Sequence, residues 1–298
     1  MLNYWHLIAV MNFYCITDDR NPTTNKLLFE ACQKRNINFV KIVGKEYDMS
    51  LSVDLGTNDL LYRVGTRQES IIVEKLLLNL KCVSLYDDYL TGVKKPVNVI
   101  ESSILHLKAH IPIPKTIFAL TNNRKLLLKY VEQLDGFPLI IKAAGGSHGV
   151  GVIKVDSAET LFSLADYLLV HDNNDFILRE YIDYVHHARL IVLGNKVIDS
   201  IEYKRVRGDF RSNVGHELEV NKKKFTDVIE ESAVKAVHSL GWEFGGVDVL
   251  IDKNGNHYLI EVNMPCFFPR CQMITGTDIA GMMIGYLLEK AKSWSKQL

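Results

Sequence analysis

The chain has 298 residues, 47% of them hydrophobic, which is enough to bury more than one core. Lys and Arg together number 35, as do Asp and Glu, so the formal net charge is zero at pH 7. This balance gives no electrostatic case for a nucleic-acid partner or an anionic membrane surface. Five cysteines without closely paired spacing argue against a disulfide framework and favour a reducing, cytoplasmic compartment. Neither a signal peptide nor a membrane span is expected, because the start lacks a basic segment and no apolar run is long enough.

The first hundred residues predict strands that alternate with helices. Apolar runs at 12–17, 38–43 and 59–64 read as strands, and the helical periodicity covers 25–35 and 68–80. Such alternation is typical of a parallel α/β sheet, whose carboxyl edge commonly binds ligands. Arg63 and Arg67 would lie near that edge and are candidate contacts for a substrate carboxylate, with an ordinary solvated loop as the alternative.

The segment Lys94-Lys95-Pro96 indicates a boundary, after which a second α+β unit is predicted. The unit would contain a helix at 101–110, extended backbone imposed by the prolines at 112 and 114, a helix at 123–133 and a strand at 138–143. Further along, we expect a helix at 158–170, a strand at 176–182, a hairpin around Gly194-Asn195, and helices at 226–240 and from about 278 to 294.

A glycine-rich stretch, Lys-Ala-Ala-Gly-Gly-Ser-His-Gly-Val-Gly at 142–151, lies between the predicted strand at 138–143 and a further predicted strand at 152–155. Glycines allow backbone N–H groups to approach a phosphate closely, and Lys142 adds a cation. The stretch is not a P-loop, because no Gly-Lys-Ser/Thr closes it and a strand follows where a helix would. A phosphate-binding loop is therefore predicted, and a hairpin tip without a ligand is the alternative.

The stretch from Gly245 to Asn263 predicts a β-hairpin around Asn254-Gly255. If 253–256 form the loop, Asp252 pairs with His257 and Asp248 lies opposite Glu261. The period of two then places Asp248, Glu261 and Asn263 on one face. Two adjacent carboxylates repel each other unless a cation lies between them, and oxygen ligands suit Mg²⁺. The alternative is an exposed hairpin with a polar outer face.

Together these segments resemble the ATP-grasp ligases, most closely the RimK type. The resemblance covers Pro138 to about Ile284. It rests on Lys142 with its glycine-rich loop, Glu180-Tyr181-Ile182, Arg189, the segment Gly208-Asp-Phe-Arg-Ser-Asn213, Gly246-Val-Asp248, Glu261-Val-Asn263 and Thr275-Gly-x-Asp-Ile-Ala280.

The resemblance implies an α/β protein with the ATP-grasp fold. An N-terminal parallel α/β domain would span 1–97. A small ATP-grasp subdomain with the glycine-rich lid would span 98–183, and a C-terminal subdomain with the metal site would span 184–298. The two α+β subdomains would clasp ATP between them.

The resemblance also implies residue roles. Asp248, Glu261 and Asn263 would hold Mg²⁺, with Mn²⁺ as an alternative metal. Arg189, Arg211 and Asn213 would be catalytic, with the two arginines facing the γ-phosphate and the acyl phosphate. ATP would be bound by Lys142, Gly145, Gly146, Ser147, Gly149 and Gly151 through its phosphates, and by Glu180, Tyr181, Ile182 and Asp183 through adenine and ribose.

Three positions depart from the family pattern. An upstream phosphate-binding lysine is expected where Val99 stands, and Lys94 or Lys95 are candidate substitutes. A ribose-binding acid is expected at His187, for which Asp183 is a stand-in. The loop 264–268, which contains Cys266-Phe267-Phe268 in place of small residues, borders the acceptor site, so the family's substrate cannot be carried over.

The implied function is an ATP-dependent ligase that forms a C–N bond between a carboxylate and an amine through an acyl phosphate. It would join an amino acid to a small molecule, a peptide, a protein terminus or a carrier protein, and a homo-oligomer is left open. A phosphotransferase on the same fold and a non-catalytic nucleotide-binding protein are the alternatives.

Overall fold

The computed structural model describes residues 11–50, 59–77, 82–85, 98–144, 151–171, 175–205, 208–211 and 219–294. The chain divides into two compact units. The first comprises 1–93, 242–245 and 263–298, and the second comprises 94–241 and 246–262. Each unit is thus built from segments that are distant in sequence.

The strands are β1 (Asn12–Thr17), β2 (Asn38–Val43), β3 (Leu60–Arg63), β4 (Thr116–Ile117), β5 (Leu139–Ala143), β6 (Val152–Val155), β7 (Phe176–Glu180), β8 (Tyr184–Leu193), β9 (Lys196–Tyr203), β10 (Val220–Lys222), β11 (Phe244–Asp252) and β12 (His257–Asn263). The helices are α1 (Pro22–Gln33), α2 (Gln68–Leu77), α3 (Val99–Lys108), α4 (Arg124–Gln133), α5 (Ala158–Asp166), α6 (Asp227–Ser239), α7 (Pro269–Thr275) and α8 (Ile279–Trp294). None of these helices is both long and apolar enough to cross a membrane.

A parallel three-stranded sheet in the order β2-β1-β3 forms the centre of the first unit. The middle strand β1 is buried along almost its whole length, as expected for a parallel strand covered on both faces. The α/β pattern predicted for this part of the chain is confirmed. Helix α1 begins three residues before its predicted start at Asn25, because Pro22 occupies the first turn, where its fixed φ favours the helix.

The second unit contains an antiparallel sheet in the order β4-β7-β5-β6. One face of this sheet packs into an apolar core with α4 and α5, whose members include Leu127, Leu139, Ile141, Leu161, Phe176 and Leu178. Because side chains alternate along a strand, burial of these residues turns Ile140, Lys142, Ile177 and Arg179 to the opposite face. The packing of the core thereby places two cationic side chains on one face.

A second sheet has the order β10-β9-β8-β11-β12. The hairpin between β11 and β12 closes with the Asp252 N–H donating to the Asn256 carbonyl at 2.9 Å and the Gly255 N–H donating to the Asp252 carbonyl at 3.1 Å. The predicted loop 253–256 is confirmed by the strand bounds, but this hydrogen bond pairs Asp252 with Asn256, one residue before the predicted partner His257. Gly255 adopts φ +84°, and a glycine in this left-handed conformation forms a bulge that shortens the loop.

Candidate functional site

Asp248 is the most deeply buried of the predicted metal ligands. It lies on β11, next to β8 in the sheet, and is 2% exposed. Arg189 Nη1 lies 3.2 Å from Asp248 Oδ1 and 3.1 Å from Oδ2, and His187 Nε2 lies 3.9 Å from Oδ1. Arg189 and His187 are two residues apart on β8 and so point to the same face. Burial lowers the pKa of His187, and the Arg189 charge lowers it further while Asp248 opposes both effects.

Glu261 lies on β12 and pairs with a cation from the other sheet. Lys142 Nζ is 3.3 Å from Glu261 Oε2, with the lysine side chain buried and the glutamate half-exposed. Burial lowers the pKa of Lys142, and the nearby charges of Glu261 and Asp248 raise it in part. Lys142 therefore interacts with both carboxylates, so the structure brings together three of the residues predicted from the sequence.

Arg179 is a further member of this cluster, and no role is predicted for it from its sequence pattern. It is 4% exposed and shares a sheet face with Lys142, since Ile140 pairs with Arg179 and Lys142 pairs with Ile177. Burial lowers its pKa to about 10, against an opposing effect of the Glu261 charge. The sequence does contain a sign of such a role, because Arg179 ends the otherwise apolar segment Phe176-Ile-Leu-Arg. An arginine in a buried strand is rarely explained by packing alone.

The cluster carries an excess of positive charge. Lys142, Arg179 and Arg189 supply three cations, and Asp248 and Glu261 supply two carboxylates, which leaves one positive charge among these described residues. Such a site attracts a polyanion, and the low-dielectric surroundings strengthen that attraction.

The segment predicted to contact adenine and ribose follows β7. The Lys115 N–H donates to Glu180 Oε1 at 2.6 Å, and Ile182 is buried. Lys154 Nζ lies 5.0 Å from the centre of the Tyr181 ring, while Arg205 donates to the Tyr181 hydroxyl and to Asp183 Oδ1, both at 3.0 Å. This segment is thus fixed by cations from two neighbouring elements.

The structure also describes three further predicted residues, Arg211, Gly151 and Asn263. Arg211 donates to both carboxylate oxygens of Asp209, at 3.1 and 3.0 Å. Gly151 is the last residue of the glycine-rich stretch. It has φ +81°, and its carbonyl accepts a hydrogen bond from the Ala143 N–H at 2.9 Å. Asn263 ends β12 but belongs to the first unit. Outside the described residues lie Gly145, Gly146, Ser147, Gly149, Asn213, Lys94 and Lys95.

In the first unit, the carboxyl edge of the sheet is occupied by internal contacts. Asp18 accepts hydrogen bonds from Arg20 and from the N–H groups of Thr66 and Arg67. Burial raises the pKa of Asp18, but the hydrogen bonds from Arg20 and Thr66 outweigh this effect and lower the pKa. Arg63 Nε lies 2.8 Å from Glu74 Oε2, and both side chains are buried. Arg63 is thus paired with Glu74, and its role in binding a substrate carboxylate stays a prediction.

Residues 98–287 match the family described as the RimK-like ATP-grasp domain. A "Probable alpha-L-glutamate ligase" of Psychromonas ingrahamii (strain DSM 17664 / CCUG 51855 / 37) is 32% identical over 186 residues, which cover 61% of this chain and 60% of that relative. This chain thus matches about three fifths of the length of that curated relative.

Two solved structures show the same fold. The ATP-grasp ligase PsnB complexed with a minimal precursor, Mg and ADP has a TM-score of 0.71 at 15% identity and covers 94% of this chain and 97% of its own. The macrocyclase MdnC bound with precursor peptide MdnA from Microcystis aeruginosa MRC has a TM-score of 0.64 at 12% identity and covers 93% and 99%. Since the family match extends over more than half of its residues, this chain belongs to the RimK-like ATP-grasp domain family and has the ATP-grasp fold.

Proposed function

We propose that this protein is an ATP-dependent carboxylate–amine ligase that forms an amide bond through an acyl phosphate. The observation that carries the proposal is the buried Lys142, which interacts with the two carboxylates Asp248 and Glu261 in a chain of the RimK-like ATP-grasp family. The related glutamate ligase and the PsnB and MdnC structures support the same class of reaction.

The charges of the site fit ATP and Mg²⁺. Lys142 lies beside Glu261 and Arg189 lies beside Asp248. If these carboxylates hold a metal that also binds phosphate oxygens, the two cations would face the same phosphates. Asp248 and Glu261 would hold Mg²⁺, which keeps several water or phosphate ligands and so needs few protein oxygens. Among the described residues there is no group of three or more His, Cys, Asp or Glu that could hold a metal. Mn²⁺ accepts the same oxygen ligands and is the alternative metal.

When bound, ATP supplies the phosphoryl group that activates a carboxylate, and the metal offsets the charge of the phosphates. The chain itself contributes binding, alignment and electrostatic stabilisation. Lys142 and Arg189 would bind phosphate oxygens, and Tyr181 to Asp183 would bind the adenine and ribose. Arg211 and Asn213 would act on the acyl phosphate, as in the family. An amine then attacks the acyl carbon, the amide bond forms and inorganic phosphate leaves.

The substrates belong to the amino-acid and peptide class. A relative is named as a glutamate ligase, and the solved neighbours bind precursor peptides. We propose that this chain joins an amino acid to a peptide, with a protein terminus or carrier protein as the larger acceptor. The five cysteines are buried and lack closely paired spacing in the sequence, which supports a cytoplasmic location.

The direct test is phosphate release from Mg·ATP in the presence of pooled amino acids and peptides, with mass spectrometry of the products. We expect release to require both a carboxylate and an amine, and the product to weigh their sum minus one water. Lys142→Gln should weaken ATP affinity by about tenfold or more, because a charge-assisted phosphate contact is lost. Lys129→Gln, on the exposed side of α4, is the matched control. A stable phosphorylated product that forms without an amine would identify a phosphotransferase instead.

A further inference from the structure

Arg179 is a buried cation whose hydrogen bonds go to neutral groups. Its Nη1 donates to the Ile260 carbonyl at 3.2 Å, and its Nη2 donates to Ser103 Oγ at 2.8 Å. The Nε atom is buried and has no hydrogen-bond partner. Within the described part of the chain no carboxylate forms an ion pair with Arg179, although a buried guanidinium is normally paired.

His106, whose pKa is affected by the Arg179 charge, is a neutral ring and provides no negative charge for the guanidinium. The Ser239 hydroxyl donates to the Ala236 carbonyl at 2.8 Å, so Ser239 Oγ accepts from His106 Nδ1 at 3.0 Å. His106 therefore carries its proton on Nδ1. Burial, helped by the Arg179 charge, lowers its pKa to about 4, so the ring is neutral at pH 7. The charge of Arg179 interacts with two residues of the cluster. It lowers the pKa of Lys142 and interacts favourably with the Glu261 carboxylate.

Arg179 also contacts helix α3, at Ser103 in its second turn. Ser103 accepts from Arg179 and donates to the Val99 carbonyl at 2.6 Å. Ser103 lies four residues after Val99 and so occupies the same side of the helix. Val99 is the position at which the family pattern places a phosphate-binding lysine, and in this chain a valine stands there. The guanidinium of Arg179 thus binds α3 one helical turn after Val99, the position at which the cation is missing.

We propose that Arg179 supplies, from strand β7, the positive charge for nucleotide phosphates that this chain lacks at Val99. The inference rests on the proposed function, because it assigns Arg179 to the same nucleotide site. Arg179 acts through the electrostatic potential beside Lys142 and without touching the ligand, so it is a positioning residue. The bound polyphosphate supplies the negative charge that balances the buried guanidinium.

A purely electrostatic role predicts losses that grow with ligand charge. We would measure the dissociation constants of ATP, ADP and AMP in EDTA by calorimetry for the wild type, Arg179→Gln and Arg179→Lys. Arg179→Gln should weaken ATP by about tenfold and ADP and AMP by progressively less, because the interaction scales with the product of charges. Arg179→Lys retains the charge and should bind all three within about twofold of wild type. Arg124→Gln, an exposed arginine on α4, is the matched control and should change none of them.

The missing lysine gives a second, independent test. Val99 is partly exposed, so a longer side chain can extend from it. Adding Val99→Lys to Arg179→Gln should restore at least half of the lost ATP affinity on a logarithmic scale, whereas Val99→Met in the same background should restore none.

Two outcomes overturn the inference. The first is that Arg179→Gln weakens the affinity for ATP, ADP and AMP equally, that Arg179→Lys weakens it by the same amount, and that both variants melt at a lower temperature. This result would show that Arg179 only holds α3 and β12 in place. The other is unchanged nucleotide affinity in Arg179→Gln while Lys142→Gln loses it, which removes Arg179 and leaves the proposed function intact. Failure of the wild type to bind any of the nucleotides would instead overturn the proposed function itself.

Discussion

At the scale of single residues, the two carboxylates of the site differ in their surroundings. Asp248 is buried and accepts hydrogen bonds from Arg189, whereas the side chain of Glu261 is 45% exposed next to Lys142. Two adjacent carboxylates repel each other, so removal of either one would by itself be expected to maintain or raise stability. The structure changes that expectation for Asp248, because its removal leaves a buried arginine without its counter-charge.

We therefore predict that Asp248→Ala lowers the free energy of unfolding by roughly 3 kcal/mol. Glu261→Ala should lower it by less than about 1 kcal/mol, because an exposed pair contributes little. Urea unfolding at pH 7 without nucleotide measures both values. Equal losses in the two variants would show that the Arg189–Asp248 pair does not stabilise the fold.

The residues that could be predicted are those identified by local pattern. Lys142 precedes a run of glycines, and Asp248 and Glu261 lie on the two strands of a recognisable hairpin. The role of Arg179 could not be predicted in this way. It depends on the pairing of β5 with β7 and on Ser103 from α3, and both partners are more than thirty positions away in the sequence.

At the scale of elements, helix α3 is joined to α6 by the hydrogen bond between His106 and Ser239. The pKa of His106 is lowered from 6.5 to about 4, mainly by burial. In the unfolded chain the ring gains a proton near pH 6.5, while in the folded chain it stays neutral down to about pH 4. Stability attributable to this histidine is therefore complete above pH 6.5 and is lost as the pH falls towards 4.

The predicted loss from His106 between these two pH values is roughly 3 kcal/mol, since each pKa unit corresponds to about 1.4 kcal/mol. The unfolding free energy of the wild type and of His106→Asn should be measured from pH 7.5 to 4.5. The variant should be less stable at pH 7 but should depend less steeply on pH. Parallel pH profiles would show that His106 is not the group that titrates.

The hairpin of β11 and β12 gives a prediction about backbone conformation. Gly255 has φ +84°, and a Cβ atom at this position would meet nothing within 4 Å. Gly255→Ala should therefore lower the free energy of unfolding by about 1 kcal/mol through backbone strain alone. Gly255→Asn is the matched control and should cost less, because asparagine tolerates the left-handed region. A silent alanine variant in urea unfolding would mean that the turn rearranges at little cost.

Most elements were predicted from periodicity and from the polar residues that bound each run. Helix α7 is absent from the predicted elements, because it has only seven residues and prolines at 265 and 269, which commonly interrupt a helix, stand at or near its start. Pro269 instead begins the helix, and Gly276 ends it with φ +75°. The one-residue difference in the hairpin hydrogen bond has a similar origin, since the bulge at Gly255 is decided by a single backbone angle.

At the scale of the whole molecule, each unit draws on distant parts of the sequence. Residues 242–245 and 263–298 join the N-terminal segment in the first unit, and 246–262 join the second. In the first unit, the ring of Phe244 on β11 packs edge to face against two others. Its centre lies 5.9 Å from that of Tyr62 on β3 and 6.1 Å from that of Phe268. No local pattern predicts such a division, because it depends on which apolar faces meet after the strands have paired. The three domains predicted from the sequence stay a prediction.

Lys142, Arg179, Arg189, Asp248 and Glu261 all belong to the second unit, so nucleotide binding should protect that unit selectively. Hydrogen exchange with and without ADP and Mg²⁺ tests this expectation. We expect slower exchange in β5, β7, β8 and β11, because a bound ligand suppresses local opening. The carboxyl ends of β1 and β3 are the alternative position for a ligand on a parallel sheet, and they serve as the internal control. Protection confined to Asp18 and Thr66 would place the nucleotide in the first unit and contradict the assignment of the site.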